Sequence, residues 1–290
     1  MLNIRVGGVP EHFNLPWHLA LENGLFKSEN INVEWKTFKG GTGAMCEALR
    51  KDEVDICIIL TEGIVRDIIN GNPSKIVSNY IETPLIWGVH TSSLNDLEYY
   101  SEIFDKKYAI SRKGSGSHLM PMVDAMIKSK TIDESNLVEI KNLDGALESL
   151  EKLETDVFYW EKYTAKPYVD SGALKSLGEF ITPWPCFVIA ASDNVLGKAS
   201  SEIGDLVSII QFAAAQFVKL PNAIQLLSKR YEQKEEDIEN WFHSTEWSSS
   251  STVSEKMLEN VIHFLKKASL IEESHTFEYK NIVKEIKKDK

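Results

Sequence analysis

Groups able to move a proton or hold a ligand stand in a few short stretches of this chain. Glu11 and His12 follow the first apolar segment, Glu62 follows a later one, and His118 and Glu161 occupy comparable places further on. A histidine beside a carboxylate can relay a proton. His12 with Glu62, or His118 with Glu161, would serve acid–base chemistry if the fold made them neighbours, and spacing alone does not fix that. No Ser-His-Asp order, nucleophile elbow, HExxH, His-x-His or CxxC pattern occurs. No catalytic residue, no metal ligand and no cofactor is therefore assigned. Cys46, Cys57 and Cys186 each lie in an apolar run and are expected as buried free thiols.

Two small-residue turns stand out. Gly40, Gly41, Thr42 and Gly43 open one predicted helix; Gly114, Ser115, Gly116, Ser117 and His118 open another. Neither is GxxxxGK[ST] or GxGxxG, which excludes the nucleotide-phosphate motifs. The first turn of a helix has unpaired N–H groups and a partial positive charge, so it accepts an anion or a polar oxygen. Glycine serves a plain tight turn equally well. The recurrence of the feature in two separate halves favours one ligand held between two helix tips. Other strand ends complete the candidate set: Glu11, His12, Phe13 and Trp17 after the first strand, Thr61 and Glu62 after "VDICIIL", Trp160 and Glu161 ending "DVFYWE", and Trp184 near a return crossing. Tryptophan and phenylalanine stack on flat molecules, while a buried carboxylate accepts from ring nitrogens or amines. Trp35 and Trp87 read as core, and Trp241 and Trp247 as structural parts of the helical tail.

The elements that must position these groups alternate. Strands are predicted at Asn3–Val6, "INVEWKTF", "VDICIIL", "KIVSNYI" and "LIWGVH", with helices at "LPWHLALEN", 42–51 and "GIVRDIING" between them. The near-continuous apolar "VDICIIL" reads as a central parallel strand covered on both faces. The same rhythm returns over 92–180 with strands "KYAIS", "LVEIKN" and "DVFYWE", and a further strand "CFVIAAS" follows. Residues 198–290 read as helical, with Thr252 to Glu255 as a capping box and "YKNIVKEIKKDK" as a solvated terminal helix. This is an α/β chain of two doubly wound lobes joined by two crossover segments, with a helical C-terminal portion. With no linker rich in glycine or proline at the middle, the lobes are expected to interleave: 1–90 plus 183–290 as one, 91–182 as the other.

At 290 residues, 43% apolar and 26% charged, the composition is that of a globular domain. A net charge of −11 argues against a nucleic-acid partner. No run approaches the roughly 18 apolar residues of a membrane span, and "MLNIRVGGVP" enters a strand without a signal-peptide core. The cytosol is the expected compartment, and a small molecule the expected partner.

The segment "LPWHLALENGLFKSENINVEW" resembles the "xxAxxxGxFxxxGLxVE" stretch of class II periplasmic-binding-protein-like domains. Ala20, Gly24, Phe26, Val33 and Glu34 match, with Asn30-Ile31 in place of Gly-Leu. "GGTGAMCEALRKDEVDICI" is similar to the "GxxxxxxALxxGxxDxxI" motif that follows, through Gly40, Ala48, Leu49, Asp55 and Ile58, with Lys51-Asp52 replacing a glycine. The branch it resembles includes binding proteins for alkanesulfonates, taurine and nitrate, and the thiamine-pyrimidine synthases. The resemblance implies two lobes closing on a ligand, with Thr42 and the Ser115–Ser117 turn facing the cleft. The CCCFC motif of the synthases is missing, and no position matches their histidine or cofactor lysine. The chain thus looks like the cytosolic members of this fold that lack that motif. The expected role is intracellular capture of a small flat or anionic metabolite, such as a thiamine-type pyrimidine precursor. The alternative is an enzyme of thiamine or related cofactor metabolism on the same scaffold.

Overall fold

A computed structural model describes residues 1–286. The strands are β1 (Leu2–Gly8), β2 (Ile31–Thr37), β3 (Ile56–Leu60), β4 (Ser74–Ile81), β5 (Ile86–Ser92), β6 (Tyr108–Ile110), β7 (Leu137–Glu139), β8 (Val157–Glu161), β9 (Leu174–Ile181) and β10 (Phe187–Ser192). The helices are α1 (Leu15–Glu22), α2 (Leu25–Ser28), α3 (Gly41–Arg50), α4 (Thr61–Ile69), α5 (Gly116–Ile127), α6 (Leu143–Glu151), α7 (Lys162–Asp170), α8 (Asp193–Phe217), α9 (Ala223–Tyr231), α10 (Glu235–Phe242), α11 (Glu255–Lys267) and α12 (Tyr279–Ile282). None of them is long and apolar enough to cross a membrane.

The strands form two five-stranded sheets, ordered β2-β1-β3-β10-β4 and β7-β6-β8-β5-β9. These are the two α/β lobes expected from the alternating pattern. β3 is buried at all five positions, which explains its unbroken apolar run. It pairs parallel with β1 but antiparallel with β10, so it is not a purely parallel strand. The alternating rhythm puts β5 in the first lobe. Instead it pairs with β8 and β9 in the second sheet. Its apolar face is equally suited to either sheet, so strand alternation cannot place it. The chain therefore changes sheet after Ile81, not near residue 90, and returns just before Phe187.

The two crossing segments run side by side. Leu85 N–H donates to Thr182 Oγ1 at 2.9 Å, and Cys186 N–H donates to the Thr83 carbonyl at 3.1 Å. α4 is tied to this bridge at its first residue, where Thr61 Oγ1 donates to the Pro185 carbonyl at 2.6 Å.

Several local departures have plain causes. Asn30 and Asp52 stand where the resembling motifs carry glycine, and both adopt left-handed backbone, with φ of 58° and 54°. Short polar side chains tolerate that region better than most. Asp55, the motif aspartate, accepts from Arg5 N–H at 2.7 Å and from its guanidinium, so it locks β1 to the start of β3 rather than serving the cleft. α7 and β9 go beyond the elements expected from sequence. Pro167 inside α7 hides its helical pattern, but a good first-turn cap from Glu161 supports it. α11 starts later than the expected capping box, because Ser254, not Thr252, accepts from Met257 N–H. Of the expected terminal helix only Tyr279–Ile282 forms; Val283 turns extended and bridges Ile76, and residues 287–290 lie outside the described part.

Candidate functional site

A cavity of about 220 Å³ lies between the lobes. Its walls come from the carboxyl ends of strands in both sheets, where ligands sit in open α/β sheets. The first lobe contributes Val9, Pro10 and Glu11 after β1, Lys39 after β2, Gly41 and Thr42 opening α3, Leu60 at the end of β3, and Phe187 opening β10. The second contributes Trp87 from β5, Ser111 with Ser115, Gly116 and Ser117 around the start of α5, Asn142 to Asp144 at the start of α6, and Trp160, Glu161 and Thr164 at the start of α7. Leu85 enters from the crossing.

Eight of the residues singled out from sequence line this cavity: Glu11, Gly41, Thr42, Ser115, Gly116, Ser117, Trp160 and Glu161. Gly41 sits at φ 64°, a left-handed turn that lets the chain enter α3. Thr42 is almost fully buried and its Oγ1 has no hydrogen-bond partner. The second turn is more self-contained. Ser117 Oγ accepts from Ser111 N–H at 2.9 Å, and Ser115 Oγ donates to the Arg112 carbonyl at 2.7 Å. The indole N–H groups of Trp87 and Trp160 are buried and unpartnered.

The two cleft carboxyls differ. Glu161 caps α7, accepting from Tyr163 N–H at 3.0 Å, Thr164 N–H at 2.7 Å and Thr164 Oγ1 at 2.7 Å. Burial raises its pKa above the ordinary value, while those donors pull it back. Glu11 is 9% exposed; its backbone carbonyl accepts from Asn14 N–H at 3.1 Å, but its carboxyl makes no hydrogen bond or ion pair with the described residues. Burial, with the Glu161 charge adding to it, pushes Glu11 up to about 8.

The other ten candidates sit elsewhere. His12 is fully buried between Phe13 and Trp241, with ring centroids 4.2 and 4.0 Å away, and its Nδ1 is 3.1 Å from Gln233 Nε2. Burial lowers its pKa to about 3, so it is neutral. Phe13 packs on Phe187 at 5.3 Å, and Trp17 stacks on Phe26 at 5.6 Å. Both belong to the core. Glu62 accepts from Trp184 Nε1 at 2.9 Å, so Thr61, Glu62 and Trp184 brace the crossing against α4. His118 Nδ1 accepts from Gly114 N–H at 2.9 Å, which fixes the turn before α5. No hydrogen bond or ion pair joins His12 to Glu62 or His118 to Glu161, whose partners lie elsewhere. Gly40 and Gly43 face a side chain of the opposite lobe: a Cβ would come 2.4 Å from Arg112 Nη2 at Gly40 and 2.6 Å from Arg112 Cδ at Gly43. Their missing side chains let the lobes meet. The lobes are thus closed on each other, with Arg112 laid along the first turn of α3.

Sequence reasoning missed Trp87, set aside as core, and the Asn142–Asp144 turn. Trp87 is only 4% exposed, so its burial looks like that of a core residue until the second lobe is seen beside it. The Asn142 turn had a signal: an asparagine N-cap, its Oδ1 accepting from Gly145 N–H, opening a helix after a strand.

The chain superimposes on a Candida albicans protein, the CA3427 gene product, with a TM-score of 0.91 over 100% of this chain and 99% of that one, at 26% identity. That structure is described as defining a new family with the generic periplasmic binding protein fold. This chain has the periplasmic-binding-protein fold. A family model described as Ca3427-like PBP matches residues 87–180, the part that carries most of the second sheet. The alkanesulfonate-binding protein SsuA from Xanthomonas axonopodis pv. citri, bound to MOPS, matches at TM-score 0.77 and 12% identity, over 93% of this chain and 94% of that one. The aliphatic sulphonate binding protein SsuA from Escherichia coli matches at 0.69 and 14%, over 94% of each chain. A search of curated proteins finds no match.

Proposed function

We propose that this chain captures one small, flat metabolite in the cleft between its lobes and performs no chemistry on it. One observation carries the reading. Buried polar atoms from both lobes, Thr42 Oγ1, Trp87 Nε1 and Trp160 Nε1, lack partners around the same cavity. Buried polar groups are nearly always satisfied in native proteins, so a cluster of exceptions at one cavity suits a ligand that completes them. A cavity of about 220 Å³ suits a single substituted ring, given that benzene occupies one of about 150 Å³. Two indoles in its lining offer flat apolar surface. Opening and closing would follow the paired crossings at 82–85 and 182–186, with ligand contacts to both lobes favouring the closed form.

A thiamine-type pyrimidine precursor, flat and rich in nitrogen, fits this description. Its capture is the specific form of the proposal that the sequence resemblance suggests. The sulfonate-binding relatives of the fold point to a plain anion instead, but two carboxyls in the cleft oppose one. Thermal-shift and calorimetric titration with aminopyrimidines, aliphatic sulfonates and aromatic carboxylates tests the reading. Stabilisation of about 3–4 kcal/mol is expected once a ligand reaches 100–1,000 times its Kd. A Trp160→Ala variant that folds but responds to the same ligand with undiminished affinity would refute the cleft as the place of capture.

A further inference from the structure

We propose that the cleft selects a nitrogen base, cationic or presenting adjacent N–H donors, with the Glu11 carboxylate as its counter-ion, and that capture of a fixed cation expels a proton from Glu11. This rests on the cleft being the place of capture and narrows what it takes.

The two cleft carboxyls are unequal. Glu161 already has three donors at the head of α7, and those bonds hold a negative charge there. Glu11 has none, is nine-tenths buried, and faces that charge across the cavity. Two carboxylates in one apolar space cannot both ionise cheaply, so the proton resides on the one without donors. A guest carboxylate or sulfonate would set a second negative charge beside Glu161 and would keep the proton on Glu11. A guest cation removes the reason for the proton: the amidinium–carboxylate contact replaces the O–H bond, and the proton leaves to solvent. The remaining charged neighbours do not alter this. Lys39 stands exposed at the rim between β2 and α3, and Asp144 brings a further negative charge from α6. Adjacent His12 is held neutral by burial, and burial lifts the Cys186 thiol and the Tyr231 hydroxyl well above their ordinary ranges. None of these three changes charge between pH 6 and 8. Glu62, held by Trp184 under α4 and pushed by burial to about 7, does, and the Glu11→Gln count separates its protons from those of Glu11.

Benzamidinium, a flat fixed cation, is the probe, with benzamide as neutral isostere and benzoate and benzenesulfonate as anions. Calorimetry of the full chain in two buffers of different ionisation heat counts protons. With Glu11 titrating near 8, benzamidinium should release about 0.9 proton at pH 7 and about 0.1 at pH 9, and bind about tenfold tighter at pH 7 than at pH 6. Glu11→Gln should abolish the release and weaken binding at least about tenfold. If Glu11→Gln does not fold, the wild-type proton count and the benzamide comparison decide alone. Benzamidinium binding without proton release at pH 7, or benzamide binding as tightly, overturns the proposal. Benzoate or benzenesulfonate binding while benzamidinium does not would overturn it too, yet leave capture in the cleft standing. No binding of any of the four at about 10 mM, a weakness beyond about −3 kcal/mol, overturns both.

Discussion

Gly43→Ala should separate closure of the lobes from stability of the fold. The new methyl would come within 2.6 Å of Arg112 Cδ and Cγ, although nothing in its own lobe obstructs it. Carbon pairs rest at about 3.5–4.0 Å, so roughly 1 Å of overlap must be relieved, and Arg112 relieves it by lifting away from α3. Overpacking of this kind costs about 1–3 kcal/mol, which shifts the closed-to-open ratio by about 5- to 150-fold. The same substitution lies inside α3, in ordinary helical backbone, where alanine gains about 0.5–1 kcal/mol over glycine. The two effects oppose each other in stability but not in shape. Small-angle scattering should show a larger radius of gyration, while thermal unfolding gains nothing, because the lost closure contacts offset the helix gain. Removing the obstruction in Gly43→Ala/Arg112→Ala should restore the compact profile and let the helix gain appear as a rise of about 1–2 °C. The neighbouring Arg112–Glu47 pair, 3.6 Å apart with Arg112 half-buried and Glu47 exposed, contributes too little to confuse the comparison. A scattering curve for Gly43→Ala that superimposes on the wild type, or a double variant that stays expanded, would refute Arg112 as the contact that governs closure.

Three further outcomes follow from buried groups. His12 titrates at about 3 in the fold against its ordinary value of 6.5, so the unfolded chain binds the proton more readily. The stability this group protects is present above about pH 6.5 and lost as pH falls towards 3, amounting to about 2 kcal/mol by pH 5. His18, His90 and His118, each lowered to about 4, add losses of the same sign. His12→Phe should therefore reduce the acid loss between pH 7 and pH 5 in urea titrations by about that amount; an unchanged loss would show that His12 is not one of its sources. Thr42→Val removes an unpartnered hydroxyl while keeping the branched shape packed against Gly63, so stability should hold or rise by up to about 1 kcal/mol. A loss above that in denaturant unfolding would mean the hydroxyl has a protein partner. Cys46, Cys57 and Cys186 are buried free thiols pushed well above their ordinary range, so none should react with Ellman's reagent until the protein unfolds.

The strands and helices with clear periodicity are legible without coordinates. β1 to β4, α3 to α6 and β10 follow from apolar spacing and glycine stops. α7 escapes because Pro167 masks a helix whose stability comes from the Glu161 cap, and β9 because its pattern is weak, with only two of eight residues buried. The site is half legible for a related reason. Strand ends can be found, but which side chain of a strand end looks into the cleft cannot. Glu11 and His12 are adjacent, yet a short turn at His12–Asn14 sends one to the cavity and the other beneath Trp241.

By itself the sequence determined the alternation of elements, the two small-residue turns that open α3 and α5, and an acidic net charge. These depend on neighbours within four or five positions, which the order of residues states directly. Only the tertiary structure decided that β5 joins the second sheet and that Gly40 and Gly43 make room for Arg112. It alone showed Glu11 facing Glu161 without a donor while Glu62 spends its carboxylate on Trp184. Each of those facts joins segments that lie far apart along the chain. What a carboxyl does is set by the charges and donors around it, and no local pattern records them.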